Sequence, residues 1–228
     1  MKHAEGRAVI VELVGPAGAG KTTLAQGVSR TDATVRSGLS LWGLPRPQLL
    51  SSALALLPTI ISAALGGGRS RLRWGEMTQM IRLGALRHVV RQEATRHRIL
   101  LLDEGPVFAL SWLEVFFKHN GDRVPAAWRR RAVADWALLL DVVVFLDASD
   151  LTLARRIRTR AKPHMVKDRS DAEISGFSAG FRRAFDRAIA ELARAGHVVV
   201  DALSTDREPT EQSAARLMAT LKQRRNGH

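Results

Sequence analysis

Apolar residues are distributed along the chain in short runs and in helical stripes. Short runs rich in Val, Ile and Leu occupy residues 7–14, 98–105, 141–149 and 197–203, and residues 33–37 are a weaker candidate. Such runs are typical of strands buried in a parallel sheet. Segments with apolar residues three or four apart predict helices at residues 20–30, 75–96, 107–118, 125–140, 150–160, 171–195 and 208–225.

The predicted strands and helices alternate over the whole length of the chain. This order is typical of an α/β fold in which a mostly parallel five-stranded sheet lies between two layers of helices. The sequence contains no internal repeat and no low-complexity stretch long enough to be a linker. We therefore expect residues 1–228 to form a single three-layer α/β/α domain.

Residues 49–65 break the alternation, because they form an uncharged run of 17 residues. A membrane-spanning helix needs about 20 apolar residues, and this run contains three serines and Pro58. We expect a buried helical hairpin or a lid over a hydrophobic pocket, with residues 41–73 inserted on the acceptor side of the domain and a turn at the glycines of 66–68. Flanking arginines leave peripheral membrane contact open as a less favoured alternative.

Composition narrows the function only slightly. The chain carries 35 Lys and Arg against 22 Asp and Glu, a net charge of +13, which favours anionic partners such as nucleotides, nucleic acid or acidic lipid. We do not expect nucleic acid as the partner, because no binding motif for it is recognisable. The absence of cysteine excludes disulfides and Cys-ligated metals. The first 15 residues lack the apolar length of a signal peptide, so we expect a cytoplasmic location.

One motif between the first strand and the first helix is specific. The sequence GPAGAGKT matches G-x-x-x-x-G-K-[ST], the P-loop that binds nucleotide phosphates. Bare glycines let backbone N–H groups approach a polyphosphate, Lys21 reaches its β and γ phosphates, and the Thr22 hydroxyl is a Mg²⁺ ligand. We therefore expect ATP and Mg²⁺ to bind here. The predicted nucleotide-binding residues are Gly15, Pro16, Ala17, Gly18, Ala19, Gly20, Lys21, Thr22 and Thr23.

Acidic residues follow two of the predicted strands, at the sheet edge where α/β proteins bind ligands. Asp103 directly follows an apolar run and is the predicted metal-side carboxylate, while Glu104 is either a catalytic base or a residue that caps or pairs near the next turn. Asp147 ends the following strand. We interpret it as the capping residue of the helix at 150–160, because Asp is favoured at that position.

Arginines are concentrated in residues 150–170. Arg156 and Arg160 are four positions apart and therefore share one face of a helix, and Pro163 would interrupt that helix. Most of this run is expected to be a solvated basic surface. Guanidinium groups on a hinged lid can also neutralise the charge of a transferring phosphoryl group, and we predict this role for Arg156 or Arg160.

In combination, these motifs resemble the thymidylate kinase and deoxynucleoside kinase branch of P-loop kinases. The resemblance rests on the P-loop, on the strand that ends in Asp103, and on Leu146-Asp147 followed by R-x-x-x-R at Arg156 and Arg160. It extends to Asp168-Arg169 and to the phenylalanines 177, 181 and 185. It implies a P-loop NTPase fold with a helical lid. Where that branch has an acid-arginine pair after the third strand, this chain has Asp103-Glu104.

The motifs and the resemblance lead to two functional hypotheses. The first is a Mg²⁺-dependent kinase that transfers the γ-phosphoryl group of ATP to a nucleotide, a nucleoside or another small molecule with a hydroxyl or phosphate acceptor. Its catalytic residues would be Lys21, Asp103, Glu104, Arg156 and Arg160. The second is a P-loop ATPase that switches conformation or binds a partner, since adjacent acids can also orient water. A homodimer is left open. Candidate acceptor contacts are Trp42, Arg46, Trp74, Gln79 and Arg82.

Overall fold

The computed structural model describes residues 7–32, 34–65, 72–117, 124–206 and 208–226. Its strands are β1 (Val9–Val14), β2 (Val35–Ser40), β3 (Ile99–Glu104), β4 (Val142–Asp147) and β5 (Val199–Ser204). Its helices are α1 (Lys21–Thr31), α2 (Arg46–Leu65), α3 (Trp74–Glu93), α4 (Pro106–Phe117), α5 (Ala126–Ala137), α6 (Asp150–Thr159), α7 (Asp171–Ala195) and α8 (Thr210–Asn226). The weak strand candidate is a real strand, displaced toward Ser40.

The five strands form one sheet in the order β2-β3-β1-β4-β5, and every pairing is parallel. β1 therefore lies at the centre, with β3 on one side and β4 on the other. Because the carboxyl ends of parallel strands meet at one edge, this order places the loop after β1 between the acids that end β3 and β4. The predicted three-layer fold is confirmed.

Two apolar cores cover the two faces of the sheet, because buried strands point alternate residues to opposite sides. On one face, Val11 and Leu13 of β1 pack with α1 and α8. On the other face, Ile10 and Val14 pack with residues from α3, α4, α5 and α7. The α7 helix is the longest, at 25 residues, and it packs on α4.

The apolar run at 49–65 is one continuous helix, so the expected hairpin is wrong. Helix α2 passes through Pro58 and packs along α3. Leu54 and Pro58 both lie on its exposed side, where water can satisfy the Leu54 carbonyl that proline leaves without a donor. The helix is not fully buried either: Leu50, Leu54, Leu57 and Ile61 are 64%, 58%, 46% and 55% exposed. The predicted turn at 66–68 lies outside the described residues.

No helix among the described residues is long and apolar enough to cross a membrane.

Candidate active site

The loop between β1 and α1 has the glycine-dependent backbone that its sequence predicts. Gly20 caps α1 with φ +88°, a left-handed conformation that favours glycine. Gly15 is required for a different reason, because a Cβ there would lie 2.1 Å from the Leu146 carbonyl oxygen of β4. The neighbouring strand therefore fixes one end of the loop and the α1 N-terminus fixes the other. The N-terminal N–H groups of α1 face the space above the loop, where an anion is stabilised.

Lys21 lies across this loop. Its Nζ donates to the carbonyl oxygens of Gly15, at 2.6 Å, and Pro16, at 3.1 Å. Burial lowers the pKa of Lys21 to about 8, although the nearby Glu104 and Asp103 carboxylates act in the opposite direction. The ammonium group is thus held in the loop and close to both acids.

Asp103 and Glu104 lie beside the loop because β3 pairs with β1. Burial raises the pKa of both carboxyl groups, and the positive charge of Lys21 partly offsets the shift. Asp103 Oδ1 and Glu104 Oε2 are buried and have no hydrogen-bond partner among the described residues. Glu104 also accepts a hydrogen bond from Trp42. These acids therefore keep oxygen lone pairs available at the sheet edge, next to the phosphate-binding loop.

The residues at this edge fit a magnesium ion that is shared with a nucleotide. Thr22 is an exposed residue at the start of α1, and Asp103 supplies a buried oxygen without a hydrogen-bond partner among the described residues. The described residues contain no cluster of three or more His, Asp or Glu that would hold a metal by itself. Mg²⁺ is commonly bound by one or two carboxylates together with substrate phosphates. Thr22 and Asp103 are the residues that would hold it.

The two arginines of the predicted lid have different surroundings. Arg156, on α6, donates to the Gly18 carbonyl at 3.2 Å and to the Thr205 hydroxyl at 2.9 Å. It therefore joins the P-loop to the turn after β5. Arg160 is the C-cap of α6 and lines the cleft above the loop, where its charge acts on Lys21 and His164. Within the described part of the chain, its guanidinium donates no hydrogen bond, so it stays available for an anionic ligand.

Asp147 does not cap α6, so that interpretation is wrong. Ser149 is the N-cap and its hydroxyl accepts from the Thr152 N–H. Asp147 instead forms a bidentate ion pair with Arg182 of α7, with Nε to Oδ2 at 2.9 Å, and Arg182 also reaches Asp150 at 2.7 Å. This arginine fastens α7 to the end of β4 and the start of α6. A pairing across 35 positions leaves no local sequence signal.

Glu12 is a second residue that sequence reasoning missed. It lies inside β1 with no solvent exposure, and its carboxylate accepts from the N–H groups of Gly105, Val107 and Phe108, each at 2.9 Å. Burial raises its pKa to about 7, against the effect of those three donors. Glu12 therefore holds the N-terminus of α4 beside the P-loop strand. The signal for it was a lone carboxylate within an apolar strand.

A cleft of about 740 Å³ connects the loop to a wall of aromatic side chains. Phe108, Trp112 and Phe116 on α4 face Phe177 and Phe181 on α7, with the Phe108 and Phe181 rings stacked at 6.4 Å and the Phe116 and Phe181 rings edge-on at 6.0 Å. Spacings of four residues place these rings on one face of each helix. The cleft also contains P-loop residues, Glu104, Arg156, Arg160 and His164.

The structure does not bring the expected acceptor contacts into this cleft. Trp42, Arg46, Trp74, Gln79 and Arg82 are all absent from the described residues that line it. Trp42 and Arg82 lie near Glu104 but stack on each other, with the guanidinium carbon 4.0 Å from the ring centre. Trp74 is 77% exposed. The cleft opens instead toward α4 and α7.

Comparisons of the sequence with family models and with curated proteins give no match. Comparison of the fold with solved structures gives matches over nearly the whole chain. Deoxyadenosine kinase from M. mycoides with the products dCMP and dCDP superposes with a TM-score of 0.55 at 13% identity, over 94% of this chain and 100% of that one. The same enzyme with dATP gives 0.52 at 14%, over 94% and 99%. Thymidylate kinase from Candida albicans gives 0.54 at 13%, over 98% and 95%.

The fold is therefore that of the P-loop kinases. Within that class, its structural neighbours include deoxyadenosine kinase and thymidylate kinase, as the resemblance in sequence predicted. TM-scores of 0.52–0.55 establish the shared fold, and identities of 13–14% leave the reaction to be argued from the site.

Proposed function

We propose that this protein is an ATP-dependent kinase that transfers the γ-phosphoryl group to a small-molecule acceptor. One observation carries the proposal. The P-loop lysine and Glu104 line the same cleft, and that cleft also runs along Phe108, Trp112 and Phe116 of α4, which follows Glu104 in the chain. A structural neighbour with bound dATP supports nucleotide binding by a protein of this fold.

The residues divide into three roles. The P-loop N–H groups, Lys21 and Arg160 would hold the phosphates and neutralise charge that develops during transfer. Glu104 would accept the proton of the acceptor hydroxyl as its oxygen bonds to the γ-phosphorus and the bond to the β–γ bridging oxygen breaks, which leaves ADP. Magnesium supplies charge neutralisation on the phosphate oxygens when bound. Arg156 is a positioning residue, because it fixes the P-loop at Gly18.

The main competing function is an ATPase that needs no acceptor. A buried, unpartnered Glu104 oxygen can also orient a water molecule. The part of the cleft lined by Phe108, Trp112 and Phe116 favours the kinase, because hydrolysis needs room only for water beyond the γ-phosphate.

Acceptor-dependent release of ADP tests the proposal. The protein is incubated with Mg²⁺ and ATP, with and without panels of nucleosides, nucleoside monophosphates, sugars and alcohols. A kinase releases ADP faster with one class of acceptor and forms its phosphorylated product. Release that is independent of every acceptor supports the ATPase instead. Lys21→Ala should abolish the stimulation. Lys222→Ala, which removes a lysine paired with Asp32 on another surface, should not change it.

A further inference from the structure

The cleft has two chemically different halves. Its lysine and arginines are gathered around the loop: Lys21 bonds to loop carbonyls, Arg156 bonds to Gly18, and Arg160 lies near Lys21. The other half is made by α4, α7 and the segment after α6. Its lining there includes Phe108, Trp112, Phe116, Met165, Phe177, Phe181 and Phe185, with His164 beside them.

The position of α4 orients the acceptor. The helix begins at Pro106, directly after Glu104 and Gly105, so Phe108, Trp112 and Phe116 lead away from the proposed base in steps of four residues. At 1.5 Å per residue, the three rings extend over about 12 Å. A hydroxyl at Glu104 would therefore belong to a molecule whose body lies along this aromatic surface.

The lining disfavours an acceptor that is itself a phosphate ester. Two further negative charges next to Glu104 would need cations of their own. Of the basic side chains that line the cleft, Arg156 bonds to the loop, and Lys21 and Arg160 would hold the phosphates of ATP. His164 does not supply that charge, because burial and then the charges of Arg160 and Lys21 lower its pKa. Arg82, which also lies near Glu104, stacks on Trp42 and does not line the cleft.

The lining also disfavours a nucleobase. Purines and pyrimidines carry several hydrogen-bonding groups on their edges, and each buried group that finds no partner costs about 1–3 kcal/mol. Among the described side chains on the aromatic half, only His164 and the Trp112 indole offer polar atoms. An acceptor with an apolar body has no such groups to satisfy, and its contact with the aromatic rings of the cleft stabilises the complex.

Resting on the proposed kinase function, we infer that the acceptor is an uncharged alcohol with an elongated apolar or aromatic body. Its hydroxyl lies at Glu104 and its body packs between the rings of α4 and α7. The product would be the phosphate monoester of that alcohol, formed together with ADP.

The test compares four acceptors at fixed Mg²⁺ and ATP: tryptophol, 3-phenylpropanol, thymidine and dTMP. We expect kcat/KM for the better of the two alcohols to exceed that for thymidine and dTMP at least about tenfold, a difference of about 1.4 kcal/mol. Faster turnover of thymidine or dTMP would overturn the inference and leave the kinase function standing. ADP release that no acceptor stimulates would overturn both.

A matched pair of variants locates the alcohol. Phe116→Ala removes a ring that lines the cleft. Phe117→Ala removes the next ring in the chain, which contacts Trp112 but is not among the described residues that line the cleft. We expect KM for the preferred alcohol to rise about tenfold in the first and less than about twofold in the second. Phe116→Leu keeps an apolar side chain of similar size if the alanine variant folds poorly, and it should raise KM about threefold. Equal effects of Phe116 and Phe117 variants would contradict the location.

Discussion

The buried carboxylate of Glu12 should make the stability of the protein depend on pH. Two effects oppose each other at this residue. Removal from water favours the protonated form, whereas three N–H donors at the start of α4 favour the carboxylate. Burial dominates and raises the pKa from 4.5 to about 7. The folded protein therefore binds a proton here more tightly than the unfolded chain does.

The direction of the pH effect follows from this shift. The stability associated with the proton on Glu12 is fully present below pH 4.5 and is lost as the pH rises through about 7. A shift of this size corresponds to about 3 kcal/mol at 1.36 kcal/mol per pKa unit, most of which is lost between pH 5 and pH 8. Glu12→Gln has a similar shape and does not titrate.

The assay is urea unfolding followed by far-UV circular dichroism, at pH 5, 6, 7 and 8, for the native protein and for Glu12→Gln. We expect the free energy of unfolding of the native protein, relative to the variant, to fall by roughly 2–3 kcal/mol across this range. The difference cancels titrations that both proteins share. A flat difference would mean that the α4 N–H groups balance burial, and a difference that rises with pH would mean that they outweigh it. Either result would refute the reasoning.

Four other predictions concern the site. Lys21→Ala should lower acceptor-dependent kcat/KM at least about 30-fold, since it removes about 2 kcal/mol of transition-state stabilisation, and an unchanged rate of ADP release would contradict this. In the native protein, kcat/KM should fall as the pH rises through about 8, where Lys21 loses its charge, whereas a flat profile from pH 7 to 9.5 would exclude that dependence. Arg160→Ala should lower kcat by a larger factor than it raises the Kd for ATP. Arg156→Ala should lower kcat and also weaken ATP binding, because it removes the hydrogen bond that holds Gly18. If kinetics and calorimetry gave the two variants the same changes in kcat and Kd, separate roles would be contradicted. Arg182→Met should lower the free energy of unfolding by about 1–2 kcal/mol. The control Arg158→Met, at an exposed ion pair, should lower it by less than about 0.5 kcal/mol. Equal losses for the two variants in urea unfolding would contradict the anchoring role of Arg182.

The sequence predicted the features that depend on neighbouring residues. The P-loop requires glycine at fixed spacings, and apolar strands such as Ile99–Glu104 stand out because both faces are buried. The predicted ends of strands and helices were less exact. For example, β2 continues to Ser40, beyond its predicted end, through a bulge in its pairing with β3. The fold class therefore followed from pattern alone.

Features that depend on contacts between distant segments were not predictable in the same way. Glu12 finds its three donors more than 90 positions away, and Asp147 pairs with Arg182 instead of capping the nearest helix. Proline in α2 indicated a break, yet packing on α3 keeps the helix continuous. The rings of Phe108, Trp112 and Phe116 do have helical spacing, and only the position of α7 shows that they form one wall of a cleft.

Calorimetric titration of the folded protein with ATP in the presence of Mg²⁺ tests the central claim most directly, because the P-loop must bind the phosphates before any transfer can occur. We expect a heat of association that saturates with one nucleotide per chain, and Lys21→Ala should weaken the affinity at least about tenfold, or 1.4 kcal/mol. No heat at millimolar ATP, with circular dichroism showing a folded protein, would contradict nucleotide binding and the kinase function with it.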